Sequence, residues 1–262
     1  MQAILEFGIA RNMRVVMAKL WGVANVVLDA VWRLFGRKFH KTARMSVYGV
    51  PMTPNFRDKT FRYCLYGTYG KHLANHLDTR DTDFVFIDIG ANQGLYSLIA
   101  ARNPRCRSII AFEPVRRTFE LLAANIALNQ ASDRSDLINA GFSDHSGAAS
   151  IAVRANHSGV ASLAGHKGMA TETIRLIDVA QLDRHIPEDL PIVVKIDVEG
   201  HEGVVISELL KSAHFHRVTA IFHEMDERWT DAGRVRQMLQ EAGFARFTKY
   251  GIRRHYDVLA ER

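Results

Sequence analysis

Residues 84–114 constrain the fold more than any other part of the sequence. An apolar run over 84–89, interrupted by a single carboxylate, is typical of a parallel strand buried on both faces. A turn with Gly90 and Gly94 follows, and glycine permits a positive φ and a close approach of the backbone to a ligand. A helical stretch begins after the turn, and a second apolar run ends at Glu113. This order predicts the first βαβ unit of a nucleotide-binding α/β domain.

The chemistry of the turn indicates a cationic nucleoside ligand rather than a dinucleotide. Gly90, Asn92 and Gly94 do not form the Gly-x-Gly-x-x-Gly pattern of a pyrophosphate site. Asp88 would repel a pyrophosphate and suits a ligand that carries an amine. Glu113 is placed to accept hydrogen bonds from a ribose diol. S-adenosylmethionine has a sulfonium, an α-amine and a ribose diol, so we expect it to be the cofactor.

Polar side chains also follow three later apolar runs. They are Ser143 and Asp144 after residues 137–140, Asp197 and Glu199 after residues 192–196, and His223 and Glu224 after residues 218–222. Ligands of an open parallel sheet bind beyond the carboxyl ends of its strands, so we expect these groups to converge on one crevice. Within it, Asp144 is expected to accept a hydrogen bond from the adenine amine.

The positive charge of the chain is concentrated at its N-terminus. The 262 residues have a net charge of +6, and residues 1–45, with eight basic and two acidic side chains, account for all of it. The balanced remainder gives no indication of a surface for nucleic acid, so we expect no nucleic-acid partner.

Two cysteines, Cys64 and Cys106, suggest no disulfide framework and favour a reducing compartment such as the cytoplasm.

Residues 1–45 are predicted to form a basic, amphipathic helical arm. Apolar residues recur at spacings of three and four over residues 16–34, which predicts one apolar stripe. Lys19, Asp29 and Arg33 interrupt the segment, so it does not resemble a transmembrane span. We expect the arm to pack on the catalytic domain or on a second subunit of a homo-oligomer. The alternative is peripheral contact with an anionic membrane, at its inner face.

Residues 46–262 are predicted to form one doubly wound, mostly parallel α/β domain. The aromatic approach segment, residues 46–83, is expected to cover one edge of the core, and the alternative is that it caps the substrate pocket. Residues 147–180 break the alternation of strands and helices. Two strand-like runs within them predict a β-hairpin insertion with a mobile tip.

Four segments in the middle of the chain carry a more specific signal. They read FIDIGANQGLYSL (86–98), AFEPVRRTFELLAANIALN (111–129), GFSDHSG (141–147) and KIDVEGHE (195–202). In these segments the chain resembles the FkbM family of S-adenosylmethionine-dependent methyltransferases. The resemblance implies the Rossmann-like fold of class I methyltransferases and O-methyl transfer to hydroxyls of sugars or polyketide-like compounds. It does not extend to residues 1–45.

The resemblance also implies roles for individual residues. It places Asp88, Gly90, Asn92 and Gly94 in the cofactor loop, Glu113 at the ribose and Asp144 at the adenine. The sequence departs from the family pattern at residues 177–183, which read IDVAQLD where a Thr-Leu-Asp stretch is expected.

An acceptor hydroxyl must lose its proton, and five side chains at strand ends are candidates for the general base. They are Asp197, Glu199, His201, His223 and Glu224. We predict His223 or Asp197, because histidine titrates near neutrality and burial raises the pKa of a carboxylate. For His201, capping a helix or facing solvent is an equally good interpretation. Carboxylates with one imidazole would suit magnesium or manganese, but this spacing is common by chance and we predict no metal.

Three hypotheses of function are compatible with these patterns. The leading one is a methyltransferase that transfers a methyl group from S-adenosylmethionine to a hydroxyl of a small molecule, sugar or glycan. The second is an NAD(P)-dependent oxidoreductase, against which the missing glycine motif and the carboxylate of Asp88 both count. The third is a non-catalytic binding or scaffold protein, against which the intact Asp88, Glu113 and Asp144 count.

Overall fold

The computed structural model describes residues 43–154, 156–161, 170–187 and 189–262. The predicted N-terminal arm therefore lies outside the described residues, apart from its last three positions. Of these, Arg44 and Met45 form a short strand rather than the end of a helix.

Helices and strands alternate through most of the described chain. The helices are α1 (Lys59–Tyr66), α2 (Lys71–Asp78), α3 (Leu95–Arg102), α4 (Arg116–Leu128), α5 (Val179–Leu182), α6 (Glu202–Leu209) and α7 (Ala232–Glu241). The strands are β1 (Arg44–Met45), β2 (Pro51–Met52), β3 (Phe84–Ile89), β4 (Cys106–Phe112), β5 (Ser135–Ile138), β6 (Gly141–Phe142), β7 (Gly147–Val153), β8 (Ala170–Ile177), β9 (Ile192–Ile196), β10 (Val218–Asp226), β11 (Arg246–Tyr250) and β12 (His255–Glu261).

A seven-stranded sheet with the order β11-β12-β10-β9-β3-β4-β5 forms the centre of the domain. Strands β5, β4, β3, β9 and β10 pair in parallel, whereas β12 is antiparallel to both of its neighbours. The chain order reverses between β3 and β9, and this is the point at which doubly wound sheets bind their ligands. The topology is that of a class I methyltransferase and confirms the predicted fold class.

Strand β3 is apolar except for Asp88 because both faces of the sheet are covered. Phe84 and Phe86 pack in a cluster with α1 to α4, while Val85, Ile87 and Ile89 pack in a second cluster with α6 and α7. Every residue of β3 is buried. Complete burial of one such apolar side chain stabilises the fold by about 1.5–3 kcal/mol.

The predicted β-hairpin insertion is confirmed as part of a separate three-stranded sheet. Strands β7 and β8 pair antiparallel, and β6 pairs in parallel with β8. Val115 from the main domain joins Ile151, Ile174 and Leu176 in the small apolar cluster beneath this sheet. The hairpin is thus held against the domain at the edge where β4 and β5 end.

Two strands differ from their predicted extents. The third strand of the main sheet is β5, over 135–138 rather than 137–140, because Gly141 and Phe142 pair instead with β8. Strand β10 continues to Asp226, because pairing with β12 extends it past the end of its parallel neighbour β9. His223 and Glu224 therefore lie within a strand and not in the loop after it.

Candidate active site

One cleft of about 740 Å³ lies over the carboxyl ends of β3, β4, β9 and β10. The glycine turn after β3 and Glu113 line one part of the cleft, and Asp197, Glu199 and Glu224 line another. The hairpin insertion and the aromatic approach segment contribute the remaining walls. This arrangement brings the predicted cofactor turn and three of the predicted catalytic carboxylates together.

Glycine is required in the turn by close packing as well as by φ. Gly90 has a φ of 78°, and a Cβ there would lie 1.9 Å from the carbonyl oxygen of Asp197. Gly94 has a φ of 89°, and its Cβ would lie 2.6 Å from Leu122 Cδ1. Asn92, at φ 52°, has the left-handed conformation that asparagine tolerates better than most residues. The turn is therefore pressed against β9 and α4 and leaves its open side to the cleft.

Asp88 does not present its carboxylate to the cleft as the sequence suggested. It is fully buried, accepts a hydrogen bond from Ser97 Oγ at 2.7 Å and forms an ion pair with Lys195 Nζ at 3.2 Å. Lys195 also lies 3.8 Å from Asp197 Oδ2 and donates to the carbonyl oxygen of Gly90 at 2.5 Å. Burial lowers the pKa of Lys195, but these two carboxylates outweigh it and raise that pKa overall. The ammonium thus joins the cofactor turn to β9.

Glu113 holds the cofactor turn from the end of β4. Its two carboxylate oxygens accept hydrogen bonds from the backbone N–H groups of Asn92 at 3.0 Å and Val115 at 2.9 Å. Burial raises its pKa to about 7, although these two hydrogen bonds favour the charged form. Each oxygen keeps a further lone pair, and Glu113 lines the cleft, so the carboxylate fits the ribose diol of a nucleoside.

The structure does not place Ser143 and Asp144 in the wall of the cleft. Ser143 is buried against His201, with 3.0 Å between its Oγ and His201 Nε2, and Asp144 is exposed and bonded to His145. Because β6 pairs with β8, Phe142 lines the cleft and the chain turns away after it. The adenine-side role predicted for Asp144 has no geometric support here.

The end of the cleft beside β6 and the hairpin is apolar instead. Pro114, Phe142, Ile151, Ile174 and Leu176 line it, next to Glu113. A flat, weakly polar ring such as adenine suits walls of this kind better than the charged amine of a substrate does. The cleft therefore has an apolar end beside Glu113 and an acidic end over β9 and β10.

Three carboxylates form the acidic end. One oxygen from each of Asp197, Glu199 and Glu224 can be chosen so that all three lie within 4.8 Å of one another. Burial and the neighbouring carboxylates raise the pKa of Glu199 to about 9 and that of Glu224 to about 7. His255 Nε2 lies 2.7 Å from Glu224 Oε1, and its hydrogen bond to Glu224 raises the pKa of His255 to about 9. These oxygens could hold a divalent cation, but no other feature of the described residues points to one.

His223, one of the two predicted bases, lies outside the cleft wall. It is buried in β10, where its Nδ1 lies 3.2 Å from the carbonyl oxygen of Glu224, and burial lowers its pKa to about 4. Side chains alternate along a strand, so Glu224 faces the cleft and its neighbour His223 does not. The other predicted base, Asp197, does line the cleft, as does His201.

Asp58 is a buried carboxylate next to the cofactor turn that the sequence interpretation missed. Its Oδ1 accepts hydrogen bonds from Phe61 N at 2.9 Å, Gln93 Nε2 at 3.1 Å and Ser158 Oγ at 3.1 Å, and its Oδ2 accepts one from Ser158 N at 2.7 Å. Ser158 Oγ also lies 2.9 Å from Asn92 Oδ1. One buried carboxylate thus ties the start of α1, the cofactor turn and the tip of the insertion together.

Only part of this network has a local signal in the sequence. An aspartate before a helix is a standard N-cap, so the hydrogen bond between Asp58 and Phe61 N could be predicted from the sequence. Gln93 and Ser158 lie 35 and 100 positions from Asp58 in the sequence, and no spacing rule connects them. His255, which pairs with Glu224, was missed for the same reason.

Comparison with known protein families identifies one family. The sequence model of the family described as "Methyltransferase FkbM domain" matches residues 88–245. Methyltransferase sdnD of Sordaria araneosa is 26% identical over 193 residues, which are 60% of this chain and 72% of that protein.

Solved structures with a related fold are similar at low sequence identity. Methyltransferase FkbM from Methylobacillus flagellatus KT has 17% identity and a TM-score of 0.48, over 70% of this chain and 44% of that chain. The protein PH0793 of Pyrococcus horikoshii has 15% identity and a TM-score of 0.47, over 85% and 71%. TrmK of M. capricolum, solved with S-adenosylhomocysteine, has 11% identity and a TM-score of 0.43, over 72% and 64%.

The Asp58 network predicts a specific effect on ligand affinity. In Asp58→Asn, an amide replaces an oxygen that accepts from buried donors, and a hydrogen bond to a charged group contributes about 1.5–3 kcal/mol. We expect calorimetry to show S-adenosylhomocysteine binding weakened about tenfold or more. Asp231→Asn is the matched control, because Asp231 also caps a helix, α7, through Arg234 N and is not itself one of the residues that line the cleft. Equal affinities in the two variants would contradict the role given to Asp58.

The raised pKa of Glu199 predicts how stability depends on pH. The folded protein holds the Glu199 proton more tightly than the unfolded chain does, since the pKa rises from 4.5 to about 9. This contribution to stability is complete below pH 4.5 and is lost as the pH rises through about 9. We expect the Tm of the ligand-free protein to fall between pH 5 and pH 9, and Glu199→Gln to flatten that fall. The exposed Glu120→Gln should leave it unchanged.

Proposed function

The chain belongs to the FkbM methyltransferase family, and from this premise we propose that it transfers a methyl group from S-adenosylmethionine to a hydroxyl oxygen. A single observation carries the proposal. The same cleft is lined at one point by the glycine turn and Glu113, and at another by the carboxylates of Asp197, Glu199 and Glu224. A nucleoside cofactor and a proton acceptor for the second substrate can therefore occupy one cavity.

The residues around the turn fit S-adenosylmethionine. Glu113 suits the ribose diol, the apolar walls beside Phe142 suit the adenine, and the positive φ of Gly90 and Gly94 opens the turn to the ligand. When bound, the cofactor supplies an electrophilic methyl group on a sulfonium. Asp88 contributes indirectly, because its ion pair with Lys195 fixes the turn from below.

We assign the removal of the acceptor proton to Asp197. It lines the cleft at the end of β9, where Lys195 Nζ at 3.8 Å and Tyr69 Oη at 3.5 Å from its Oδ2 orient it. Burial and the neighbouring carboxylates raise the pKa of Glu199, which favours its neutral form beside Asp197. A carboxylate within hydrogen-bonding distance of the acceptor would take the proton as the oxygen attacks the methyl group.

The acidic end also bears on the class of acceptor. Carboxylates and the exposed Trp229 line it, and hydroxyl groups can donate to the carboxylates while the flat indole covers a ring. We therefore propose a hydroxyl of a sugar, glycan or other small molecule as the acceptor. A dinucleotide is a poorer fit, because the turn lacks the glycine pattern of a pyrophosphate site.

Several expectations about partners stay predictions. Packing of the 1–45 arm on the domain or on a second subunit, its alternative contact with a membrane and the assembly state all involve residues outside the described part. None of the described helices is long and apolar enough to cross a bilayer.

Ligand binding separates the three functional hypotheses. We expect S-adenosylhomocysteine to bind with a micromolar Kd and NADH to show no binding in calorimetric titrations. Glu113→Gln should weaken S-adenosylhomocysteine at least tenfold, because a Gln amide cannot accept from both backbone N–H groups and a ribose diol. Glu120→Gln, on the outer face of α4, is the control. Binding of NADH in place of S-adenosylhomocysteine would contradict the proposed function.

Loss of the proton acceptor predicts a loss of product. Cells that express the wild-type protein should contain a metabolite or glycan heavier by one methyl substitution, detected by mass spectrometry and assigned to oxygen by fragmentation. Asp197→Asn should lower its formation about 100-fold or more, the usual range for general-base removal. S-adenosylhomocysteine should still bind. Methylation found on nitrogen or carbon, or full activity of Asp197→Asn, would refute the proposed role of Asp197 in O-methyl transfer.

A further inference from the structure

The two most exposed large apolar side chains among the described residues lie on adjacent loops. Ile252 is 98% exposed and Trp229 is 62% exposed, whereas Tyr63, Leu128 and Met45 follow at about 40% or less. Folding gains nothing from an aliphatic side chain held almost wholly in water. Isolated exposed apolar residues need no explanation, but a pair at one site indicates a contact with another surface.

Both loops lie at the rim of the cleft. Residues 227–230 follow β10 and residues 251–254 precede β12, and these two strands pair up to Asp226 opposite His255. The backbone continues the pairing beyond that point, because Glu227 N donates to the carbonyl oxygen of Arg254 at 2.9 Å. Trp229 and His255 themselves line the cleft. The rim therefore borders the acidic end of the cleft.

The rim is also rich in arginine. Arg253 and Arg254 directly follow Ile252 in the turn, are exposed, and form no ion pair with any residue that the structure describes. Arg228 neutralises Asp226 across a short ion pair, and Glu227 lies 3.9 Å from the ammonium of Lys249. The acidic side chains of the rim are thus already paired, and the two free guanidinium groups leave it positive.

We propose that this rim, residues 227–230 with 251–254, docks on an anionic membrane surface. Tryptophan is favoured at the boundary between lipid headgroups and hydrocarbon, and Ile252 would enter the acyl region at its tip. Arg253 and Arg254 would meet the phosphate groups of the lipids. Apolar tips next to unpaired cations match a bilayer better than a nucleic acid, which would leave Ile252 without an apolar partner.

Docking in this orientation has a consequence for the acceptor. This consequence rests on the proposed function. Because Trp229 belongs both to the rim and to the cleft wall, the acidic end of the cleft would open toward the bilayer. An acceptor whose hydroxyl is attached to a lipid would then reach Asp197 without leaving the membrane. The docking surface itself does not depend on which group is methylated.

The tryptophan content of the chain permits a direct test. The sequence has three tryptophans, Trp21, Trp32 and Trp229, so the full-length Trp21→Phe/Trp32→Phe variant reports on Trp229 alone. We expect its fluorescence to shift to the blue and to be quenched when vesicles of phosphatidylglycerol with brominated acyl chains are added. Trp229 fluorescence that is neither shifted nor quenched by these vesicles would contradict the proposal. It would mean that another part of the chain binds the membrane or that no part does.

Sedimentation of the full-length chain with the same vesicles measures the contribution of each group. Ile252→Ser should lower the bound-to-free ratio about tenfold, and Arg253→Gln/Arg254→Gln about fivefold for each charge removed. Leu128→Ser and Arg105→Gln/Arg107→Gln are controls away from the rim, at the end of α4 and the start of β4, where both arginines pair with Asp83. These controls should bind normally.

Calorimetry with S-adenosylhomocysteine keeps the two proposals distinguishable. The rim variants should retain wild-type affinity for this ligand, which shows that fold and cofactor site are intact while vesicle binding is lost. Rim variants that sediment like the wild type would overturn the docking proposal and leave the proposed methyl transfer standing. Equal binding to phosphatidylcholine and phosphatidylglycerol vesicles would also overturn it, since the free arginines would then contribute nothing.

Discussion

A lysine ammonium buried between two carboxylates determines where the cofactor turn and β9 meet. Lys195 lies 3.2 Å from Asp88 and 3.8 Å from Asp197, and the Lys195 and Asp88 side chains are almost completely inaccessible to solvent. Removing one partner of a buried pair costs about 3–5 kcal/mol, because the remaining charge stays buried and unpaired. Glu113 and Gly90 take their positions from the strands and turn that this pair joins. The cofactor end and the acidic end of the cleft therefore share one electrostatic anchor.

The fold was predictable because its strongest determinants are local in the sequence. The apolar run of β3, broken only by Asp88, indicated a strand covered on both faces, and packing on both sides of the sheet is what the structure has. Gly90 and Gly94 indicated a tight turn, and each leaves no room for a Cβ. Glu113 at the end of β4 was predictable from strand order alone, since adjacent parallel strands end at the same edge.

Other features depend on pairing between distant segments, which no local pattern reports. Asp144 was expected at the adenine, but pairing of β6 with the hairpin turns it outward. His223 was expected in a loop, but pairing of β10 with β12 keeps it in a buried strand. The contact of Asp58 with Ser158 spans 100 residues. In each case the side-chain type was visible in the sequence, whereas its direction was set by a partner elsewhere in the chain.

The three-stranded sheet has an apolar core of its own, made by Ile151, Ile174 and Leu176 with Val115. The first of the two larger cores contains no residue of this sheet, whereas the second takes in Phe142 of β6 and Ile177 of β8. Strand β7 contributes to neither of the larger cores, so substitutions in β7 leave those cores intact, whereas substitutions near Lys195 disturb the anchor of the cleft. A duplicated gene could therefore diverge most readily in the loop after β7, where residues 159–161 line the cleft. Selection could in this way change which molecules the cleft admits while the methyl donor stays the same.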